Sequence, residues 1–292
     1  MTKNTTYEKY RKMILKLAED ILGSKNLKRI ERMGGMTNHS YRIILDCGDY
    51  VFRIAGEGTD ELIDRKAEKI STELGCSLNI DTKLLYFNEK TGAKITEYIE
   101  DAETMSKERL KDPENLKMAA CLLRTLHTCG KDTHVPFRVF EIAADYENFI
   151  RKNQVCLFED YEEKKNQVLS IKKDLDKKQT LLVPCHNDPL CENWIKGKDR
   201  MYLIDWEYAG MNDPLWDVAD VSIEAALNTD EEEILLNAYF EERISSESRI
   251  RYNANKVFID FLWSLWGLTR VPFDEGMTEY AEKRWERMKR NM

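Results

Sequence analysis

Three oxygen-bearing side chains, Asp188, Asn193 and Asp205, occur at spacings that suit phosphoryl chemistry. They lie in Pro184-Cys185-His186-Asn187-Asp188-Pro189-Leu190-Cys191-Glu192-Asn193-Trp194-Ile195 and in Tyr202-Leu203-Ile204-Asp205-Trp206-Glu207. A carboxylate at Asp188 can accept a hydroxyl proton, while a carboxamide and a second carboxylate are hard oxygen donors of the kind that hold magnesium on phosphates. Residues 194–196 and 201–205 are short apolar runs around a Gly197-Lys198-Asp199-Arg200 turn, which predicts a β-hairpin. That hairpin sets Asn193, at the start of one strand, across from Ile204 and Asp205 at the end of the other. Asp188 falls just upstream, on a loop that Pro189 keeps out of regular structure. Asx residues near a turn are often turn chemistry alone; His-x-Asp-x4-Asn before a strand ending in Asp is more specific, because spacing and strand context agree. Cys185, His186 and Cys191 supply one side of a zinc site, and no second Cys/His pair follows at suitable spacing.

The elements that must carry these residues follow from periodicity. Residues 6–22 place Tyr7, Tyr10, Met13, Ile14, Leu17, Ala18, Ile21 and Leu22 at helical spacing up to Gly23. Arg29 to Met33, Ser40 to Leu45 and Tyr50 to Ile54 read as strands. The connector Gly34-Gly35-Met36-Thr37-Asn38-His39 is glycine-rich and polar at its tip, so its backbone could close over a phosphate, although a glycine pair is more often only a turn. Arg53 stands near the end of the third strand, from which a cation could project toward that loop. The spacing predicts a helix from about Asp60 to Leu74, capped by Thr59 or Asp60 and stopped at Gly75, with Glu68 in its middle. Strands follow at Lys83 to Phe87 and Lys94 to Tyr98. Beyond about residue 100 the pattern is helical, with helices expected at 106–111, 114–128, 140–153 and 157–174; His127 reads as a structural histidine.

After the hairpin, Asn212-Asp213-Pro214 can cap a helix on which Asp217, Asp220 and Glu224 make one acidic stripe. Glu231, Glu232 and Glu233 open the next helix, where its dipole favours them. In Val257-Phe258-Ile259-Asp260-Phe261-Leu262-Trp263-Ser264-Leu265-Trp266, the tryptophans share a face and Asp260 lies a turn away. Aromatics at this spacing are more often core, yet two tryptophans beside carboxylates also suit a quaternary ammonium ion held by cation–π attraction.

Composition bounds the class. The 292 residues are enough for two lobes with real cores, and 42% hydrophobic with 34% charged is the balance of an ordinary soluble protein. A net charge of −8 argues against a general nucleic-acid binder. Seven scattered cysteines behind a start that enters a helix directly point to free thiols in a reducing cytoplasm. No apolar run has membrane-spanning length.

With these pieces assembled, the chain resembles the choline kinase branch of the aminoglycoside-phosphotransferase and protein-kinase-like superfamily, specifically the short bacterial choline kinases, from Gly34 to about Arg284. Gly34-Gly35-Met36-Thr37-Asn38 is similar to the family's phosphate-covering loop, and Arg53 in Val-Phe-Arg-Ile to its phosphate-side cation. The resemblance implies Glu68 as the helix partner of Arg53, Glu97 to Ile99 as the adenine-binding segment, Asp188 as base, and Asn193 and Asp205 as magnesium ligands. It likewise implies Trp263, Trp266, Tyr280, Glu224 and, less directly, Glu207 as acceptor-site residues. Asp205 is followed by Trp206-Glu207 in place of the Phe-Gly of protein kinases, which counts against a protein substrate, and Pro189-Leu190-Cys191-Glu192 is an unusual filling before Asn193. The implied fold is α+β and protein-kinase-like: a small antiparallel-sheet N-lobe at 1–100, then a mostly helical C-lobe at 101–292 carrying the hairpin. ATP and Mg2+ would be the cofactors, choline the acceptor and phosphocholine the product, in a monomer or homodimer. Ethanolamine, thiamine or an aminoglycoside is an alternative acceptor. A nucleotide-binding regulatory protein without turnover is a further alternative, against which the complete Asp188, Asn193 and Asp205 set argues.

Overall fold

The computed structural model describes residues 3–24, 26–33, 38–56, 63–178, 180–241 and 243–292, with side chains from Tyr10 onward. Gly34, Gly35 and Thr37, and the expected caps Thr59 and Asp60, lie outside the described residues. The chain divides into two compact units: one holds the chain up to Glu103 with Ile195–Glu207, the other holds Thr104–Trp194 and Tyr208–Met292. The segment Ile195–Glu207, which sequence assigns to the helical half, therefore packs with the first unit.

In the first unit α1 (Lys3–Leu22) is followed by β1 (Leu27–Arg32), β2 (His39–Leu45), β3 (Gly48–Ile54), α2 (Arg65–Ser77), β4 (Leu84–Phe87) and β5 (Lys94–Glu97). The strands form one antiparallel sheet in the order β1-β2-β3-β5-β4. Period-2 alternation turns Tyr41, Ile43 and Leu45 of β2 inward, where they meet Phe52, Ile95 and the α1 residues Ile14 and Ala18. Each fully buried aliphatic or aromatic side chain there contributes roughly 1.5–3 kcal/mol before chain entropy is counted.

The boundaries of α2 differ from the expected ones. It starts at Arg65, capped by Asp64, whose side chain accepts the N–H groups of Lys66 at 2.9 Å and Ala67 at 3.1 Å. It also runs through Gly75 to Ser77. A Cβ on Gly75 would lie 2.3 Å from Cζ2 of Trp206, so this glycine serves a close approach inside the helix and does not end it.

The second unit is helical. After β6 (Glu103–Thr104) come α3 (Lys107–Leu110), α4 (Pro113–His127), α5 (Val139–Lys152), α6 (Tyr161–Leu175) and β7 (Val183–Cys185). A 3-10 turn at Cys191–Asn193 leads into the hairpin β8 (Trp194–Lys196) and β9 (Met201–Leu203), which from Ile195 onward belongs to the first unit. Then follow β10 (Gly210–Asn212), α7 (Pro214–Glu224), α8 (Thr229–Phe240), α9 (Ser246–Arg270) and α10 (Met277–Asn291). Strand β9 stops at Leu203, short of the expected Asp205, because Asp205 takes a left-handed backbone with φ +69°. Strands β7 and β10 pair antiparallel, Cys185 opposite Gly210; three-residue strands are too short to leave an alternation in sequence.

Every residue of α9 from Val257 to Thr269 is buried, which is why apolar residues occur on every face of this stretch. Glu231 closes a capping box with Asn228 at the start of α8, so the acidic run there is helix chemistry. Among the described residues no helix is long and apolar enough to cross a membrane.

Candidate active site

In the first unit the site begins at Arg53, near the end of β3 and 4% exposed. Its Nη1 donates to Asp205 Oδ1 at 2.7 Å; its Nη2 donates to Glu68 on α2 and to the Gly92 carbonyl at 3.2 Å. Burial works against the Arg53 charge, but Glu68, Asp205 and Glu207 outweigh it and hold the guanidinium firmly protonated. Arg65 donates to Glu68 at 2.8 Å and lies 3.5 Å from Glu207. Asn38 donates its side-chain N–H to Glu207 at 3.0 Å and, at greater length, to Asp205 Oδ2 at 3.5 Å. Burial, and after it Asp205, pushes the Glu207 carboxyl above its ordinary range. Glu207, assigned to the acceptor site from sequence, thus lies with Arg53, Arg65 and Asn38 of the first unit.

Two details of this cluster suit a hard cation. Asp205 keeps 28% of its side chain exposed, and the buried Oδ1 of Asn38 meets no hydrogen-bond partner among the described residues. Glu97 ends β5, where it pairs in register with Tyr50, three positions before Arg53, and Ile99 follows two residues beyond the strand. The Glu97 carbonyl accepts the Thr82 hydroxyl at 3.1 Å, and Ile99 is half-buried against Gly197.

In the second unit the loop after β7 is fixed from several sides. Asp217, fully buried in the first turns of α7, accepts the backbone N–H groups of His186 and Asn187, each at 2.7 Å. Asn187 adopts φ +66°, which an Asx residue tolerates better than most. Its side-chain N–H donates to the Tyr208 carbonyl at 2.9 Å, its Oδ1 accepts from Asn212 at 2.9 Å, and its carbonyl accepts the Trp216 indole N–H at 2.9 Å. Asn193 donates its side-chain N–H to the Asp188 carbonyl at 2.8 Å, which leaves its amide oxygen as the end that a cation can use. Asp188 itself is half-buried at the head of this loop. Asp217 was visible in sequence only as part of an acidic stripe, although Asp three residues after a helix-capping Asp-Pro is the available signal.

His127 joins the same arrangement, with Nδ1 at 2.8 Å from the Tyr239 hydroxyl and Nε2 at 3.0 Å from Asp217. Cys185 lies within 4.8 Å of the His127 and Asp217 ligand atoms, but those atoms are already engaged in the bonds just described. Burial pushes the Cys185 thiol well above its ordinary value, which makes it a packing residue.

The remaining acceptor-site candidates sit on α7, α9 and α10. Trp263 and Trp266 are perpendicular, with centroids 6.2 Å apart and planes at 89°. Tyr208 meets Trp263 edge-on at 4.9 Å, and Tyr280 meets Trp266 at 5.7 Å. Gly267 makes this possible, since a Cβ there would lie 2.8 Å from Tyr280 Cδ1. Beside Tyr280, over whose ring Arg284 lies, runs an ionic network that sequence did not reveal. Arg284 reaches Glu224 at 2.9 Å and Asp260 at 3.3 Å, and Arg287 grips Asp260 with two 2.7 Å hydrogen bonds and Glu224 at 3.1 Å. For Glu224, burial favours the neutral acid, but Arg284 and Arg287 outweigh it and lower the pKa. On an amphipathic helix such as α10, two arginines three apart resemble a solvated face, so nothing in the pattern marked Arg284 as buried or Arg287 as half-buried.

A model of the choline/ethanolamine kinase family matches residues 28–289. A choline/ethanolamine kinase family protein from Mesorhizobium loti is 32% identical, with TM-score 0.86 over 97% of this chain and 94% of its own. The choline kinase LicA from Streptococcus pneumoniae is also 32% identical, with TM-score 0.85 over 97% of this chain and 98% of its own. Protein LicA of Haemophilus influenzae is 29% identical over 260 residues, 86% of this chain and 76% of that protein.

Proposed function

Because the chain belongs to the choline/ethanolamine kinase family, with the kinase-like α+β fold of its relatives, we propose that it is a choline kinase. At the level of the family it is a phosphotransferase that uses ATP to phosphorylate the hydroxyl of a small amino alcohol. The choice of choline rests on the aromatic set Tyr208, Trp263, Trp266 and Tyr280. Perpendicular rings offer several electron-rich faces to one cation, and a trimethylammonium group, lacking N–H donors, gains most from such faces.

In this reading Asp188 orients the acceptor hydroxyl and takes its proton as the oxygen attacks the γ-phosphorus of ATP. The bond from that phosphorus to the bridging oxygen breaks, and ADP leaves. Asn193 and Asp205 would hold magnesium, which when bound neutralises charge on the phosphates. Arg53, kept charged by its carboxylates, and the loop around Gly34, Gly35, Thr37 and Asn38 would serve the phosphates, with Glu68 fixing Arg53. Glu97 and Ile99 would meet the adenine through their backbone. Trp263, Trp266 and Tyr280 would set the distance of the ammonium from the reacting oxygen, with Glu224 supplying negative charge behind them.

The test is an ADP-release assay with ATP and magnesium against choline, ethanolamine, thiamine and kanamycin, with Trp263→Ala alongside. Choline-dependent turnover that the variant loses mainly through a higher KM supports the reading. Turnover on another alcohol alone removes choline as the acceptor, and unchanged choline kinetics in the variant removes Trp263 from the acceptor pocket.

A further inference from the structure

Arg65 is a second buried guanidinium beside Arg53. It occupies the first position of α2, the end at which the helix dipole disfavours a cation, so local helix chemistry does not account for it. Tertiary packing does. Gly92, in the turn between β4 and β5, takes φ +65°, and a Cβ there would lie 2.7 Å from Arg65 Nε and 2.9 Å from its Cζ. The Gly92 carbonyl accepts from Arg53 Nη2 at 3.2 Å, so one glycine seats both guanidinium groups.

The two arginines divide three carboxylates. Glu68 offers Oε1 to Arg53 and Oε2 to Arg65 Nη1, the latter at 2.8 Å. Glu207 Oε2 lies nearer to Arg65 Nη1, at 3.5 Å, than to Arg53 Nη1, at 4.0 Å. Lys94 Nζ adds a positive charge 3.8 Å from Glu68. Asp205 is left to Arg53, at 2.7 Å. Without Arg65, the buried carboxylates of Glu68 and Glu207 would fall mainly to Arg53, because an ion left unpaired in a buried site is strongly destabilising. A guanidinium drawn by three carboxylates has less to offer an incoming phosphate. We propose that Arg65 is a positioning residue for the nucleotide: it neutralises Glu68 and Glu207, and so keeps Arg53 available to the phosphates of ATP. This deepens the kinase reading and rests on it.

The experiment measures ATP affinity by nucleotide titration without acceptor, and steady-state KM values for ATP and choline. The chains compared are wild type, Arg65→Lys, Arg65→Gln, Glu207→Gln and the double variant Arg65→Gln/Glu207→Gln, each held well below its own melting temperature. Arg65→Gln should weaken ATP binding about ten-fold or more, the worth of a charged hydrogen bond, while the choline KM stays within about two-fold. Arg65 reaches both carboxylates through one nitrogen, Nη1. A lysine ammonium can therefore stand in for it, and Arg65→Lys should stay within about three-fold of wild type. In the Glu207→Gln background the Arg65→Gln change should cost less than about three-fold, since one of the carboxylates it would uncover is gone. An Arg65→Gln chain with wild-type ATP affinity overturns the assignment and leaves the kinase reading intact. So does a loss that is equal with and without the Glu207 charge, or equal in Arg65→Lys, since packing alone would give either. If Arg65→Gln does not fold, the double variant decides: ATP binding about ten-fold or more weaker than in Glu207→Gln overturns the assignment. A wild type that binds no ATP overturns the kinase reading, and this inference with it.

Discussion

Asn193 donates its side-chain N–H to the backbone carbonyl of Asp188 at 2.8 Å, so the candidate metal ligand and the candidate base are clamped together within one loop. Asn193→Asp replaces that donor with an oxygen facing an oxygen. It should reduce kcat even though a carboxylate remains a competent magnesium ligand, and disturbing the groups that orient a metal ligand typically costs about 10–100-fold. Asp188→Asn keeps the loop and removes the base, with an expected kcat loss of about 10^2–10^4-fold and unchanged ATP affinity. Single-turnover rates alongside nucleotide titrations check both; near-normal turnover by Asp188→Asn would remove it as base.

Arg53→Lys tests whether a cation alone suffices. The guanidinium holds Asp205 through one nitrogen and Glu68 with the Gly92 carbonyl through the other, which a single ammonium cannot span. Losing one charged hydrogen bond of roughly 1.5–3 kcal/mol should raise the KM for ATP about 10–100-fold. The choline KM should stay within about two-fold, since such a loss falls on the nucleotide side. Equal effects on both substrates would place Arg53 outside the phosphate site.

Gly75→Ala sets helix propensity against packing. Alanine is preferred in a helix by about 1 kcal/mol, yet its Cβ would press on Trp206 at 2.3 Å. Trp206 is 1% exposed and donates its indole N–H to Asp81 at 3.0 Å, so it has no room to swing away. Overpacking should prevail, with a net loss of about 1–3 kcal/mol in chemical denaturation. A stabilised variant would show that the helix can shift at this point.

Asp81 gives a pH signature. Burial raises its carboxyl to about 6, against the opposing pull of Lys94, the Thr82 N–H and the Trp206 indole. The folded chain thus binds this proton more tightly than the unfolded chain does. Its contribution is fully present below the ordinary carboxylate value and is lost as pH rises through about 6. A shift of two units corresponds to about 3 kcal/mol. Denaturation midpoints of wild type and Asp81→Asn, measured without magnesium between pH 4 and 7, should converge in slope only above that window. Parallel profiles throughout would refute the assignment.

These residues were unequally legible in sequence. The strands around Arg53 and the helices of the second unit could be read because period 2 and period 3.6 survive in single-sided elements such as β2 and α4. The hairpin of β8 and β9 could be read, though not its end at Leu203, because turn chemistry and apolar runs coincide there. The start of α2 could not, since Thr59, Asp60 and Asp64 are all capable caps and only tertiary packing selects one. Gly75 misled for a related reason: a glycine that admits Trp206 and a glycine that ends a helix are the same letter. Asp217 and Arg284 show the deeper limit. Their burial depends on which helix faces which, and a charged residue on an amphipathic helix looks solvated until its neighbours are known.

The assignment of Ile195–Glu207 to the first unit bears on how the chain matures. A ribosome delivers α1, the five-stranded sheet and α2 long before it delivers Trp206 and Asp205. Until then the groove at Gly75 stands open, Asp81 lacks its indole donor, and Arg53 has Glu68 without Asp205. The amino-terminal portion is thus synthesised early and completed late, and its final side chains arrive with the hairpin that also carries the candidate catalytic loop. Nucleotide-side competence and the acceptor-side loop would then be acquired in the same interval of synthesis, so a truncated chain ending before β7 would lack both.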